Sequence, residues 1–304
     1  MYNFKKNVKV YLVELNSLGA ATNQHSLEIY SDITASQTFD EQGYKRKTLH
    51  ALTDLHEHAV INKANPANFS FTAPILDINS TPILLSLGST YSTGTIASFD
   101  LYIQSDNVIY RIQKAVIESL TFNLERESIL TISVSGTASK LSKFGNVGAV
   151  TIPGTPVSLG TKKYARIDTM SVSIAGSVLD SIASVNIELK NEIEWTPNNT
   201  IQEAVSNTTM YPSSYVLQRR TLSGSITQFL TSANVDTISD TSTSAAIILN
   251  IFSTAYSSST PILQFNLPST AFTRRLNFEE LINRVYDFRL NTNTTTVKPI
   301  YKGV

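Results

Sequence analysis

Apolar and polar side chains alternate along much of this chain, and that period of two constrains it to β-structure. In the segment Ala183 to Trp195, positions 183, 185, 187, 189, 193 and 195 are apolar and the even-numbered positions are polar. Because successive side chains of a strand point to opposite faces, we predict one buried face and one wet face. Shorter alternating runs cover Leu27 to Ala35, Phe99 to Ile103, Leu120 to Leu124 and Leu130 to Val134. We predict a mainly β fold of the antiparallel sandwich or barrel type.

Helices are predicted to be few and short. The best candidate is Ser244 to Ala255, because the isoleucines at positions 247, 248 and 251 would share one helical stripe behind a Thr or Ser cap. A second candidate is Lys47 to Val60, through the leucines at positions 49, 52 and 55. Each half of the chain is therefore expected to contain one short helix.

Composition excludes several classes of protein. The 304 residues carry 24 Lys and Arg against 24 Asp and Glu, and they include no Cys. Such a chain has no disulfide framework and no thiolate metal site, and its zero net charge argues against a basic nucleic-acid reader. The 37 Ser and 35 Thr residues predict a surface rich in hydroxyl groups.

Targeting and membrane signals are not expected. No apolar run approaches the roughly 20 residues that a membrane-spanning helix needs. The segment Met1 to Glu14 contains three Lys residues but only a short apolar stretch, unlike a secretory signal peptide. We therefore expect synthesis in the cytoplasm and no membrane partner.

The two halves of the chain show the same order of segments around a glycine-rich stretch. That stretch, Gly136 to Gly160, holds five of the 12 Gly residues. Before it come Ala67 to Leu76, Ile83 to Leu87, Phe99 to Ile103 and Tyr110 to Leu124; after it come Thr221 to Leu230, Ser244 to Ala255, Leu263 to Leu267 and Arg274 to Leu290. We interpret the chain as a tandem duplication, with domains at residues 1–143 and 166–304 and a linker at 144–165.

A histidine cluster is the only candidate metal site. His50, His56 and His58 lie within nine residues. Metal ligands must converge on one point, and we interpret this segment instead as polar surface. We predict no metal and no cofactor.

Paired carboxylates keep one enzymatic alternative open. Glu125 and Glu127, like Glu192 and Glu194, are two residues apart and would share a strand face at roughly 6–7 Å, as a polysaccharide hydrolase could use. The chain has no G-x-S-x-G nucleophile turn and no phosphate-binding loop motif. We predict that it is not an enzyme.

The order of motifs resembles the tail tube proteins of long-tailed bacteriophages. In the second half, the resemblance rests on Arg166 to Trp195, Thr196 to Thr200, Arg219 to Leu230 and a closing strand near Tyr286 to Leu290. In the first half, Asn65 to Pro74 and Tyr110 to Leu124 resemble the extra copy found in phage tubes built from two fused tube domains.

This resemblance implies an assembly. In that family an inner sheet of each domain joins its neighbours into a closed barrel, six domains make a ring, and long loops or hairpins help rings to stack. A two-domain chain would form trimeric rings with pseudo-sixfold symmetry. The stacking loops would be Thr38 to Ala64 and Thr196 to Arg219, with Phe39, Lys47, Asn198 and Tyr211 as candidate inter-ring residues.

The wet strand faces are candidates for the wall of the central channel. An acidic, hydroxyl-rich wall would repel a phosphate backbone and leave DNA free to slide. The candidate lumen residues are Glu28, Asp32, Ser184, Asn186, Glu188, Glu192 and Glu194.

The resemblance also implies partners and a location. The chain would be a virion protein that contacts further copies of itself, the tape measure protein and the tail terminator or tip proteins, with DNA passing through unbound. The alternative is a receptor- or carbohydrate-binding β-sandwich protein of the tail tip. That alternative predicts clustered exposed aromatic residues, whereas the single Trp195 lies on the apolar side of its strand.

Overall fold

A computed structural model gives the fold. It describes residues 8–30, 32–44, 58–74, 84, 87, 91–92, 95–157, 166–196, 210–234, 244–253, 261–278, 280–291 and 300–301. Strands dominate these residues, so the predicted mainly β fold is confirmed. No helix within the described ranges is long and apolar enough to cross a membrane.

The strands fall into two series along the chain. The first comprises β1 (Lys9–Leu15), β2 (Ala21–Leu27), β3 (Thr34–Ser36), β4 (Phe39–Tyr44), β5 (His58–Ala64), β6 (Ala67–Pro74), β7 (Tyr91–Ser92), β8 (Thr95–Ile96), β9 (Phe99–Gln104), β10 (Val108–Glu125), β11 (Thr131–Ala138), β12 (Lys140–Asn146) and β13 (Thr155–Pro156). The second comprises β14 (Thr169–Ile174), β15 (Ser177–Leu179), β16 (Ile182–Thr196), β17 (Ser214–Phe229), β18 (Ser244–Phe252), β19 (Leu263–Asn277), β20 (Asn283–Leu290) and β21 (Ile300–Tyr301).

Seven strands from each series pair in the same order. In the first half the order is β2, β1, β9, β10, β11, β6, β3, and every neighbouring pair is antiparallel. In the second half it is β15, β14, β18, β19, β20, β17, β16, again antiparallel throughout. The two sets also follow the same order along the chain, so each strand of one set has a counterpart in the other. The domain boundaries stay a prediction.

The two sets are joined edge to edge. Residues Ser119 to Glu125 of β10 pair antiparallel with Ser184 to Lys190 of β16. In the turn after β10, the Glu127 N–H donates to the Ile167 carbonyl at 2.7 Å, and the Ile167 N–H donates to the Ser128 carbonyl at 2.8 Å. We call this contact the internal junction. It makes one continuous sheet of the two halves.

The alternating sequence pattern accounts for the core. In β16, Val185, Ile187 and Leu189 are at most 4% exposed, while the polar side chains between them are half-buried or less. The core continues across the internal junction, where Phe122 of β10 packs edge-to-face on Phe265 of β19 with ring centroids 5.4 Å apart. Each fully buried side chain of this size stabilises the fold by about 1.5–3 kcal/mol.

The predicted helix in the second half is wrong. Residues Ser244–Phe252 form strand β18, which pairs with β14 on one side and β19 on the other. Its buried residues, Ile247, Leu249 and Ile251, follow a period of two. A run of Ile and Leu residues interrupted only by Asn250 satisfies both periods, and pairing on both edges favours the strand.

The helix predicted at Lys47 to Val60 is not seen either. Residues 45–57 lie outside the described residues, and the last three positions belong to strand β5. Helical backbone occurs in the described part of the chain only at Leu84 and Leu87, which are both buried.

Candidate functional site

Hydroxyl and amide side chains cover one face of the central sheet. Cross-strand partners in antiparallel pairs share a face, so the register of β6, β11, β10, β16 and β17 gathers these side chains on the side away from the core. We call this surface the polar face. It comprises Ser70, Thr72, Ser133, Ser135, Ser119, Thr121, Asn123, Ser184, Asn186, Glu188, Lys190, Ser223 and Ser225.

Many polar-face groups hydrogen-bond to one another. Thr72 Oγ1 and Ser133 Oγ lie 3.0 Å apart. The Ser119 hydroxyl donates to Glu188 Oε1 at 3.2 Å, and the Asn186 amide donates to Asn123 across the internal junction. Groups that are satisfied within the protein have less capacity to hold a passing ligand. The polar face is therefore chemically suited to weak, non-specific contact.

Three of the predicted lumen residues, Ser184, Asn186 and Glu188, lie together on this polar face. Glu192 and Glu194 continue on the exposed side of β16. The Glu192 carboxylate lies 2.9 Å from Arg219 Nη2, and Glu194 accepts a hydrogen bond from Gln218.

The basic partners of these acids were not predicted from the sequence. Arg219 lies opposite Glu192 only because β16 and β17 pair in this register, with an irregularity after position 192. On β19 and β20, Arg275 donates to both carboxylate oxygens of Asp287 at 2.7 and 3.1 Å. Cross-strand register is not visible in a single sequence, and the exposed sheet surface consequently carries charges of both signs.

The two predicted lumen residues of the first half, Glu28 and Asp32, do not both lie beside the polar face. Asp32 lines a shallow cavity of about 260 Å³ whose wall includes Ser70 and Thr121 of the polar face. Glu28 lines a different cavity, of about 600 Å³, beside β1 and the end of β2; Asp32 borders this one as well. Only Asp32 of this pair therefore adjoins the polar face.

Two predicted inter-ring residues, one from each half, contact each other. Phe39, at the start of β4, packs edge-to-face against Tyr211, with ring centroids 6.4 Å apart. Lys140 Nζ lies 4.4 Å from the centroid of the Tyr211 ring, and the Ala64 N–H donates to the Met210 carbonyl at 2.8 Å. The bases of the β4–β5 and β16–β17 hairpins are thus packed together. Lys47 and Asn198 lie outside the described residues.

A polar chain runs beneath the two hairpins. The Trp195 indole N–H donates to Thr137 Oγ1 at 2.9 Å, and the Thr137 hydroxyl donates to Glu118 Oε1 at 2.7 Å. Burial raises the pKa of the Glu118 carboxyl, against the hydrogen bond from Thr137 and the charge of Lys190. Glu118 lies where the β10–β11 register is irregular, so strict alternation could not assign its environment.

The histidine cluster yields no site in the described part of the chain. His50 and His56 fall outside the described residues, and His58 begins β5. Across the described ranges, no group of three or more His, Cys, Asp or Glu side chains could hold a metal ion.

The fold defines a mainly β protein in which two matching sets of strands share one sheet. Residues 1–303 match the model of the Bacteriophage Baseplate Tube Protein Family, Baseplate_Tube_p140, and the chain belongs to that family. No curated protein matches the chain. The chain is accordingly a structural component of the phage virion, in the tube of the baseplate. The resemblance to phage tube proteins is confirmed at this level, while the fusion of two tube domains stays a prediction.

Proposed function

We propose that copies of this chain associate side by side into rings, and that stacked rings form a tube segment through which phage DNA leaves the virion. The internal junction carries the proposal. There β10 pairs along its C-terminal half with β16. Their counterparts in the shared strand order are β19 and β3, at opposite ends of the sheet.

Both counterparts have an open edge among the described strands. Residues 272–277 of β19 pair with β20 on one side, and β3 pairs with β6 on one side. Pairing β19 of one copy with β3 of the next would repeat the internal junction between copies. Such a head-to-tail contact closes into a ring when its rotation fits. If six sheet units close the ring, as the resemblance implies, the ring contains three copies.

The polar face would then line the channel. Its hydroxyl and amide groups are largely bonded to one another, and its carboxylates repel phosphate. Such a wall would let DNA slide because many of its donors are already bonded and the charge of Lys190 lies beside that of Glu188 on the same strand face. No enzymatic step is required of it.

The paired hairpins would provide the stacking surface. Their bases are locked together by the Phe39–Tyr211 contact, so both project from one region of the subunit. The predicted inter-ring residues Lys47 and Asn198, which follow β4 and β16 in the sequence, would meet the next ring. At the ends of the tube the same surface would meet other baseplate and tail proteins, with the tape measure protein inside.

Electron microscopy combined with mass photometry tests the proposal. We expect hollow rings, and a trimer of 33.4 kDa chains has a mass of about 100 kDa. A protein that stays monomeric at every accessible concentration would contradict the proposal. Glycan binding by such monomers would instead favour the receptor-binding alternative.

A further inference from the structure

The turn after β19 exposes apolar side chains where the corresponding turn after β10 buries them. Both turns span five residues, 126–130 and 278–282. Leu124 lies just before the first turn and Leu130 is its last residue, and both are 0% exposed. Leu276 and Ile282, at the same places around the second turn, are 51% and 44% exposed. The same local geometry is therefore covered in one half and bare in the other.

The second turn adds further apolar surface. Phe278 is 77% exposed and Leu281 is 64% exposed, whereas the position of Phe278 is occupied in the first turn by Arg126. We call Leu276, Phe278, Leu281 and Ile282 the apolar turn. A contiguous exposed patch of large apolar side chains marks an interaction surface.

The internal junction shows what covers such a turn. Leu124 lies opposite Val185 of β16, and the turn backbone exchanges hydrogen bonds with Ile167, just before β14. The beginning of the second half thus covers the leucines at the ends of the first turn, while the side chains of Arg126 and Glu127 within the turn stay 78% and 65% exposed. The counterpart of that beginning is the start of the chain's first unit, around β1, β2 and β3.

A partly apolar groove of about 600 Å³ lies there, whose wall also includes Lys9, Ser26, Glu28 and Asp32. Val8, Leu27, Ile29 and Ile33 line it and are only partly buried. Leu27 at the end of β2 is half-buried. Its counterpart in the second half, Leu179 at the end of β15, is only 3% exposed. The chain therefore has exposed apolar side chains around the turn after β19 and a partly apolar groove beside β1 and β2.

We propose that the apolar turn of one copy inserts into this groove of the next copy. The inference rests on the proposed side-by-side association and adds a second contact to the pairing of β19 with β3. The occupant is a second copy because the internal junction already covers Leu124 and Leu130, the counterparts of Leu276 and Ile282, within one chain. Insertion would fix the rotation between copies, which strand pairing alone leaves adjustable.

Cysteine cross-linking tests the contact directly, because the native chain has no Cys. The double variant Leu281→Cys with Ile33→Cys should form covalent dimers and larger species on oxidation, each cleaved by reductant. The matched control is Leu281→Cys with Leu18→Cys. Leu18 is 91% exposed in the β1–β2 turn, at the far end of these strands from the groove. The control, like each single variant, should give no ladder.

A charge placed in the turn gives an independent readout. Phe278→Asp should weaken self-association by at least about tenfold without lowering the melting temperature, since the side chain is exposed in the single chain. Leu18→Asp should leave association unchanged. Normal rings from Phe278→Asp together with no cross-linking would overturn the insertion and leave the tube function standing. A wild-type chain that never associates would overturn both.

Discussion

The ring of Phe69 on β6 lies over Gly136 of β11, so that a Cβ added at position 136 would come 2.6 Å from the ring Cζ. The second half contains the same crossing with the strands exchanged. There Phe288 of β20 lies over Gly224 of β17, and an added Cβ would come 2.5 Å from its Cζ. Because β17 is the counterpart of β6, each half keeps one Phe and one Gly at this place but on opposite strands.

Substituting either glycine should destabilise the fold. In Gly136→Ala and Gly224→Ala, the new Cβ also meets a backbone carbonyl, that of Val116 at 2.1 Å or that of Asn186 at 2.2 Å. We expect each variant to lose about 1–3 kcal/mol of unfolding free energy in chemical denaturation. Ser225→Ala, beside Gly224 on the polar face, is the control and should change stability by about 0.5 kcal/mol or less. If shortening the facing Phe in the same variant restored all of the lost unfolding free energy, the ring and not the backbone would be what limits the space.

A buried ion pair holds the bend in β10. Asp100 is 1% exposed, and its carboxylate accepts from Arg111 Nε at 2.9 Å, from Arg111 Nη2 at 2.5 Å and from the Lys114 N–H at 2.9 Å. Asp100→Ala leaves the guanidinium and this N–H without their partner. We expect a loss of about 3–5 kcal/mol of unfolding free energy.

An exposed ion pair provides the contrast for that measurement. Asp287 pairs with Arg275 at 2.7 Å, but both side chains are more than a third exposed. Asp287→Ala should therefore cost far less than Asp100→Ala, because water screens the pair. Equal losses for the two variants would contradict the role assigned to burial at Asp100.

Glu118 should make stability depend on pH. Burial raises the pKa of its carboxyl above the ordinary value of 4.5. A carboxyl whose pKa is higher in the folded chain favours folding at low pH, and that contribution is lost as the pH rises through the raised value. We expect Glu118→Gln to melt at a higher temperature than wild type at pH 7–8 and to lose this advantage as the pH falls below 4.5. The exposed Glu125→Gln is the control, and a less stable Glu118→Gln at neutral pH would refute the prediction.

The alternation of apolar and polar residues predicted β16 and its buried face, but among the described residues of Leu27 to Ala35, which also alternate, only Leu27, Thr34 and Ala35 lie in strands. The residues Val185, Ile187 and Leu189 are buried as their period requires. The same reasoning failed at Ile247 to Ile251, where every residue but Asn250 is apolar and the helical and extended periods fit equally well. Pairing with two neighbouring strands, which is a tertiary property, decides that segment.

The surfaces were predictable only in part. Phe39 and Tyr211 were both predicted as inter-ring residues, but their mutual contact depends on how two hairpins distant in sequence pack. Glu118 and the Arg219 partner of Glu192 depend on strand irregularities and on register. The exposed turn at Phe278 and Leu281 becomes meaningful only when compared with its buried counterpart around Leu124.

Reversing one charge on the polar face should convert a non-binding wall into a binding one. Glu188 accepts a hydrogen bond from Ser119 beside the internal junction, and Glu188→Lys would remove the carboxylate beside Lys190 and place a second cation there in every copy of a ring. We expect rings to form normally but to retain double-stranded DNA in a gel-shift assay, with retention falling steeply as salt rises because phosphate contacts release counterions. Asp106→Lys, in the exposed β9–β10 turn, makes the same charge change away from this face and should retain no DNA. Equal retention by both variants would mean that net charge, not the polar face, governs contact with DNA.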